Sequence, residues 1–213
     1  LNDVPIVDFS LLGEQDYVTA YVQVDNPQLK TIARKIKGKT PSEIIRAVSA
    51  WVAKHVDYPL DWRGKPNANR KIKLFKFGGS VYHVDLSREY GWLKPNQTAT
   101  VRKGICFDTA CLATSILRIK KVKAYTVIGA ILTSKKRKLQ GFHAWTEAAD
   151  EEGQHWVIET TVHPNPPELV LAKDLYSGKF PLLYDPIIWF NESECYVDQV
   201  KEAQYEALGV DGW

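Results

Sequence analysis

Two kinds of periodicity divide the chain. From Pro27 to Val56 apolar residues recur at helical spacing: Leu29, Ile32, Ala33 and Ile36 form one stripe, and Ile44, Ile45, Val48, Trp51, Val52 and Val56 a second. Each stripe has a start signal. Asn26-Pro27 sets an N-cap before proline at the first helical position, and Thr40-Pro41-Ser42-Glu43 is a capping box. Gly38 closes the first helix and Tyr58-Pro59 the second. Residues 105–119 return to helix. Strands are predicted over 122–132, 141–149 and 155–161, and Tyr17–Val24 alternates in the same way and reads as a strand. The run Lys135-Lys136-Arg137-Lys138 marks the turn before the strand at 141. Residues 61–100, broken by Gly64, Pro66, Gly78, Gly79, Gly91 and Pro95, read as a long excursion holding two short strands. The stretch from Pro164 to Pro186 reads as loop, followed by a helix near 195–208 closed by Gly209. Helices first and sheet afterwards predict one α+β domain over 1–213, with a core at about 26–165, an insertion at 61–100 and a C-terminal extension from 165.

Composition narrows the function. With 213 residues, 45% hydrophobic and 25% charged, the chain can bury a sizeable core and is not a disordered acidic or low-complexity sequence. A net charge of +3 is too small for an obligate nucleic-acid binder, and no apolar run is long enough to span a membrane. The three cysteines, Cys106, Cys111 and Cys195, are an odd set without C-x-x-C spacing, which argues against a disulfide scaffold and a zinc ribbon while leaving one pair plus a free thiol open. The chain begins at Leu1 and has no methionine, as expected of a processed or excised segment; no signal peptide is visible, and an upstream signal or anchor, compartment and oligomeric state stay open.

The chemistry concentrates at Arg102-Lys103-Gly104-Ile105-Cys106-Phe107-Asp108. Cys106 opens a helix, where unpaired N–H groups and the positive end of the helix dipole favour a thiolate and can hold an oxyanion. Cys106, Ala110, Ala113 and Leu117 share one face, and their small residues suit close packing on a sheet. Cys111 lies on another face and reads as core. A nucleophilic thiol needs a base and the base an orienting group. His143, in Gly141-Phe142-His143-Ala144-Trp145, is the candidate base, and Glu159, in Trp156-Val157-Ile158-Glu159, the candidate orienter. If the two segments form a hairpin turning at Asp150–Gly153, a register centred on Glu151 sets His143 directly opposite Glu159 on one face.

Cysteine at a helix start, then His-Ala-Trp on a strand, then an acid on the next strand: in this order the chain resembles the transglutaminase-like superfamily of papain-like cysteine enzymes, across Thr40–Tyr58, Arg102–Arg118, Gly141–Glu147 and Trp156–Thr161. The resemblance implies a nucleophile helix packed on an antiparallel sheet, a triad of Cys106, His143 and Glu159, and acyl transfer through a thioester on a peptide or protein substrate, without cofactor or metal. The family usually carries Asp where this chain has Glu159. The second oxyanion donor is not fixed by a motif; Gln97, Trp92 and Trp62 are the candidates, and Trp189 and Trp145 are candidates for a substrate groove. The absence of accessory β-domains favours hydrolysis, by a protease or amidase, over protein-glutamine transglutamination. A non-catalytic binding module on the same fold is an alternative of another class, and a peptide N-glycanase is a third reading, disfavoured by the absence of C-x-x-C pairs. His55, His83, His155 and His163 have no motif context, which disfavours a zinc site built on Cys106 and His143.

Overall fold

A computed structural model describes residues 18–57, 75–77, 80–82, 92–159 and 169–207. Helices α1 (Pro27–Lys35) and α2 (Pro41–His55) begin as the sequence directs. The Asn26 side chain accepts the Gln28 and Leu29 N–H groups, and Thr40 and Glu43 complete the capping box. The excursion holds strands β1 (Phe75–Phe77) and β2 (Ser80–Tyr82), paired antiparallel, and ends in a short helix α3 (Pro95–Val101) that the sequence reading left as loop. Helix α4 (Cys106–Ile119) follows, then β3 (Ala124–Thr133), β4 (Leu139–Ala149), β5 (His155–Ile158), β6 (Val170–Leu171), the single-turn α5 (Ala172–Tyr176), β7 (Leu182–Phe190), β8 (Cys195–Val197) and α6 (Gln199–Ala207). The last six strands form one antiparallel sheet in the order β6-β5-β4-β3-β7-β8.

Two sequence expectations are corrected. Residues 18–21 form a helical turn closed by the Tyr21 N–H on the Val18 carbonyl, not a strand. Val18, Tyr21 and Val22 are buried together, a spacing of three and four that alternation had masked. The Pro-rich segment carries β7, an interior strand of the sheet, because Pro186 sits at a β-bulge: Ile128 pairs with Ile188 and Gly129 with Pro186, so Ile187 is the extra residue. A proline lacking its N–H is tolerated at such a break in the ladder.

Helix α4 is the centre of the molecule. All twelve residues from Cys106 to Leu117 are buried, so the helix is covered by the sheet on one side and by α1, α2 and α3 on the others. Phe107, Leu112, Ile116 and Leu117 are fully enclosed, each contributing about 1.5–3 kcal/mol by burial. Hydroxyl groups fix the helix on the sheet. Thr126 of β3 donates to Thr114 of α4, Thr114 to Thr146 of β4, and Thr146 to the Ala110 carbonyl, at 2.9, 3.3 and 2.9 Å. Thr114 and Thr146 each accept one bond and donate the next, so these buried hydroxyls are satisfied. On the far face of the sheet Val127, Trp145, Val157 and Tyr184 pack with Ala172 and Leu175 of α5. Thr146→Val keeps the shape but takes away the acceptor of the Thr114 hydroxyl proton and the second donor on the Ala110 carbonyl; it is expected to lower stability by about 1–3 kcal/mol, read from urea unfolding.

Candidate functional site

The approach to Cys106 is held from both sides. Arg102, in the left-handed conformation at φ 58°, ends α3. The chain then runs beside Asp57, whose N–H donates to the Arg102 carbonyl and whose carbonyl accepts the Gly104 N–H. Gly104 has no room for a side chain: a Cβ would lie 2.9 Å from Asp108 Cβ and 3.0 Å from Thr98 Cγ2. Asp108, fully buried, accepts the Ile105 N–H at 3.0 Å and the Leu93 N–H at 2.9 Å, so one carboxylate ties the end of the excursion to the start of α4. The Cys106 N–H, first in the helix, has no intrahelical acceptor. Cys106 itself is 8% exposed.

His143 lies on β4 with its Nε2 2.7 Å from Oε2 of Glu159, and both side chains are about 15% exposed. The Tyr184 hydroxyl donates to the same oxygen at 2.9 Å. The Cys106 thiol is the second hydrogen-bond partner of the His143 ring, which leaves Nδ1 as the nitrogen available to it. Burial works against a charged ring here, but the Glu159 charge, the Cys106 charge and the hydrogen bonds to both outweigh it, holding His143 well above the usual histidine range.

The hairpin register differs from expectation by two residues. Thr146 faces Ile158 and Glu147 faces Val157, so the same register carried onward sets Glu159 opposite Trp145 rather than His143. A two-residue shift preserves the face, and His143 and Glu159 become diagonal neighbours, a separation within reach of a long side chain. The extra methylene of glutamate closes that diagonal.

The sequence profile of the transglutaminase-like superfamily matches residues 30–159, which hold Cys106, His143 and Glu159. The chain belongs to this superfamily. A curated relative, UPF0252 protein MJ1282 of Methanocaldococcus jannaschii, is 25% identical over 162 residues; these make up 74% of this chain, which spans only 41% of that relative's length. Among solved structures, calcium-bound LapG of Legionella pneumophila superposes with a TM-score of 0.51 at 11% identity, covering 87% of this chain and 86% of LapG. A second LapG structure gives a TM-score of 0.50 at 12% identity, covering 91% and 94%. These likenesses match the mixed fold of helices on an antiparallel sheet described above.

The other sequence candidates of this transglutaminase-like domain divide. Trp92 stacks on Phe107, the residue after Cys106, with ring centres 4.2 Å apart. Gln97 instead caps α3, its Oε1 accepting the Lys94 N–H at 2.8 Å, and Trp62 lies outside the described residues. Trp145 is corrected from groove to core: it is fully buried and its indole N–H donates to the Tyr176 hydroxyl. Trp189, half-buried on β7, packs against the same cluster. Cys111 is core, as read, and burial pushes its thiol well up. His155 is paired with Glu147 at 2.5 Å, away from Cys106, and among the described residues no His, Cys, Asp or Glu side chains gather as a metal-holding group. Sequence reasoning missed three groups. Asp108 carried a signal, an acid three residues into a helix. Glu147, which also accepts from Tyr176, and Tyr184 carried none, because Tyr176 and Glu159, the groups that meet them, lie 29 and 25 residues away along the chain.

A raised His143 stabilises the fold through its charged form. That contribution is complete below about pH 6.5, the ordinary histidine value, and is lost as pH rises through the higher folded value. The melting temperatures of wild type and His143→Gln should therefore differ most in mild acid and converge only as pH rises through the raised folded value of His143.

Proposed function

We propose that this domain is a cysteine-dependent acyl-transfer enzyme acting on peptide or carboxamide bonds, with water as the usual acceptor. The observation that carries the reading is the continuous contact from the Cys106 thiol through the His143 imidazole to the Glu159 carboxylate. In the proposed cycle the Cys106 sulfur attacks the carbonyl carbon and forms the C–S bond. The oxyanion is held by the Cys106 N–H and a second donor, for which Trp92 is the best-placed described candidate. The imidazolium of His143 gives its proton to the leaving nitrogen as the C–N bond breaks, and a thioester remains. Water then loses a proton to His143, adds to the thioester and releases the acid, returning the thiol. Glu159 holds the ring with one nitrogen towards sulfur throughout.

The same thioester could be resolved by an amine, giving transglutamination. Product analysis on glutamine peptides with and without a primary amine separates the two, and an acid product that persists with amine present is the outcome expected here. Neither step uses a metal; activity lost in EDTA and restored by calcium or zinc would overturn that part of the scheme.

Iodoacetamide should label Cys106 stoichiometrically well below pH 8, and Cys106→Ala should abolish both labelling and turnover while the melting temperature holds. Turnover that survives Cys106→Ala but not Cys111→Ala would move the nucleophile. Glu159→Gln removes the charge and should cost at least tenfold in kcat. Because the contact is diagonal, Glu159→Asp should fall well short of wild type too, its carboxylate being a methylene too short.

A further inference from the structure

Glu159 is reached from an unexpected direction. Its neighbour in the sheet is β4, yet the second donor on its Oε2 is Tyr184 of β7, with β3 and β4 lying between β5 and β7. At ~4.8 Å per strand the two backbones stand ~14 Å apart, a gap that only two long side chains extended towards each other can close. The route runs past Gly129 of β3, which pairs with His143 on one side and Pro186 on the other. A Cβ at Gly129 would lie 2.7 Å from Cη2 of Trp145 and 2.3 Å from the Asp185 carbonyl oxygen. The missing side chain lets Trp145 and Tyr184 pack edge to face at 5.0 Å, while the Tyr184 ring meets the His143 ring edge-on at 6.1 Å.

We infer that Tyr184 is the positioning residue for the His143–Glu159 pair, a clamp made necessary by the glutamate. The inference rests on the proposed thiol chemistry of Cys106. A glutamate reaching diagonally has one more rotatable bond than an aspartate and can swing away from the ring. The Tyr184 hydroxyl removes that freedom by bonding the oxygen that His143 uses. Burial, the Glu159 charge and the bond to it push the phenol far above its ordinary range, so it stays a donor throughout the working pH range and does not compete for the proton. The titratable groups facing one another here are Cys106, His143, Glu159 and Tyr184; Tyr176 accepts from the buried Trp145 and donates to Glu147, which pairs with His155.

The test reads the thiol, so it needs no substrate. The rate of Cys106 alkylation by iodoacetamide is measured from pH 5 to 10 in wild type, Tyr184→Phe, Glu159→Gln and the double variant. Tyr184→Phe should slow labelling about three- to tenfold near pH 6 and leave it unchanged above pH 9, because the imidazolium that supports the thiolate loses its fixed partner. In the Glu159→Gln background the same change should have no further effect, since Tyr184 acts through Glu159 alone. Replacing Tyr184 with 3-fluorotyrosine, a stronger donor of nearly the same shape, should speed labelling near pH 6; this arm stands even where Tyr184→Phe fails to fold. Labelling in Tyr184→Phe that matches wild type at every pH, or an equal fall in the Glu159→Gln background, would overturn the clamp and leave the nucleophile assignment standing. A wild-type thiol inert below pH 8 would overturn the assignment and the clamp with it.

Discussion

Everything at the site depends on the enclosure of α4. A helix buried around its whole circumference has no freedom to slide or rotate without opening a cavity, and close-packed interiors resist that strongly. The constraint turns a generic helix start into a defined position for one thiol. Burial also removes the water that would otherwise satisfy the first-turn N–H groups, so their dipoles act in a medium that screens them weakly. The Asp108 carboxylate takes the Ile105 N–H, while the next one along, that of Cys106, has no acceptor within the helix. The thiol is therefore set in place by the same packing that shapes its electrostatic surroundings.

The sheet plays the complementary part. Its near face is pinned to α4 by the threonine relay, and its far face carries the aromatic and acidic groups that define the histidine's surroundings. Two His–carboxylate pairs lie on it, His143 with Glu159 and His155 with Glu147, and the first meets a thiol. The contrast shows how little of such a pair is catalytic in itself. The same kind of bond that holds His143 beside a thiol serves, a few residues away, to satisfy a carboxylate that Tyr176 also reaches.

Local signals were legible in the sequence, and relations between distant strands were not. The caps at Asn26 and Thr40, the opening of α4 at Cys106 and the basic turn before β4 follow from short-range chemistry, and the structure places all four as read. The order Cys106, His143, Glu159 pointed to the superfamily because spacing along the chain survives as order in space. What failed needed information from elsewhere in the fold. The hairpin register was two residues off because the turn alone does not fix it, and β7 was taken for loop because the bulge that accommodates Pro186 exists only against β3. Residues 18–21 alternated like a strand, but the surface that buries Val18, Tyr21 and Val22 selects a helical turn.

The position of β7 in the chain has a consequence for assembly. During synthesis β3 and β4 leave the ribosome and can pair at once, but the other edge of β3 stays unpaired until β7 emerges roughly fifty residues later, a wait of seconds at ~5–20 residues per second. Cys106, His143 and Glu159 are all made by then, without Tyr184. A nascent chain therefore carries Cys106, His143 and Glu159 before it carries the strand that closes the sheet around them, and the final quarter of the sequence acts as the part that completes the proposed site.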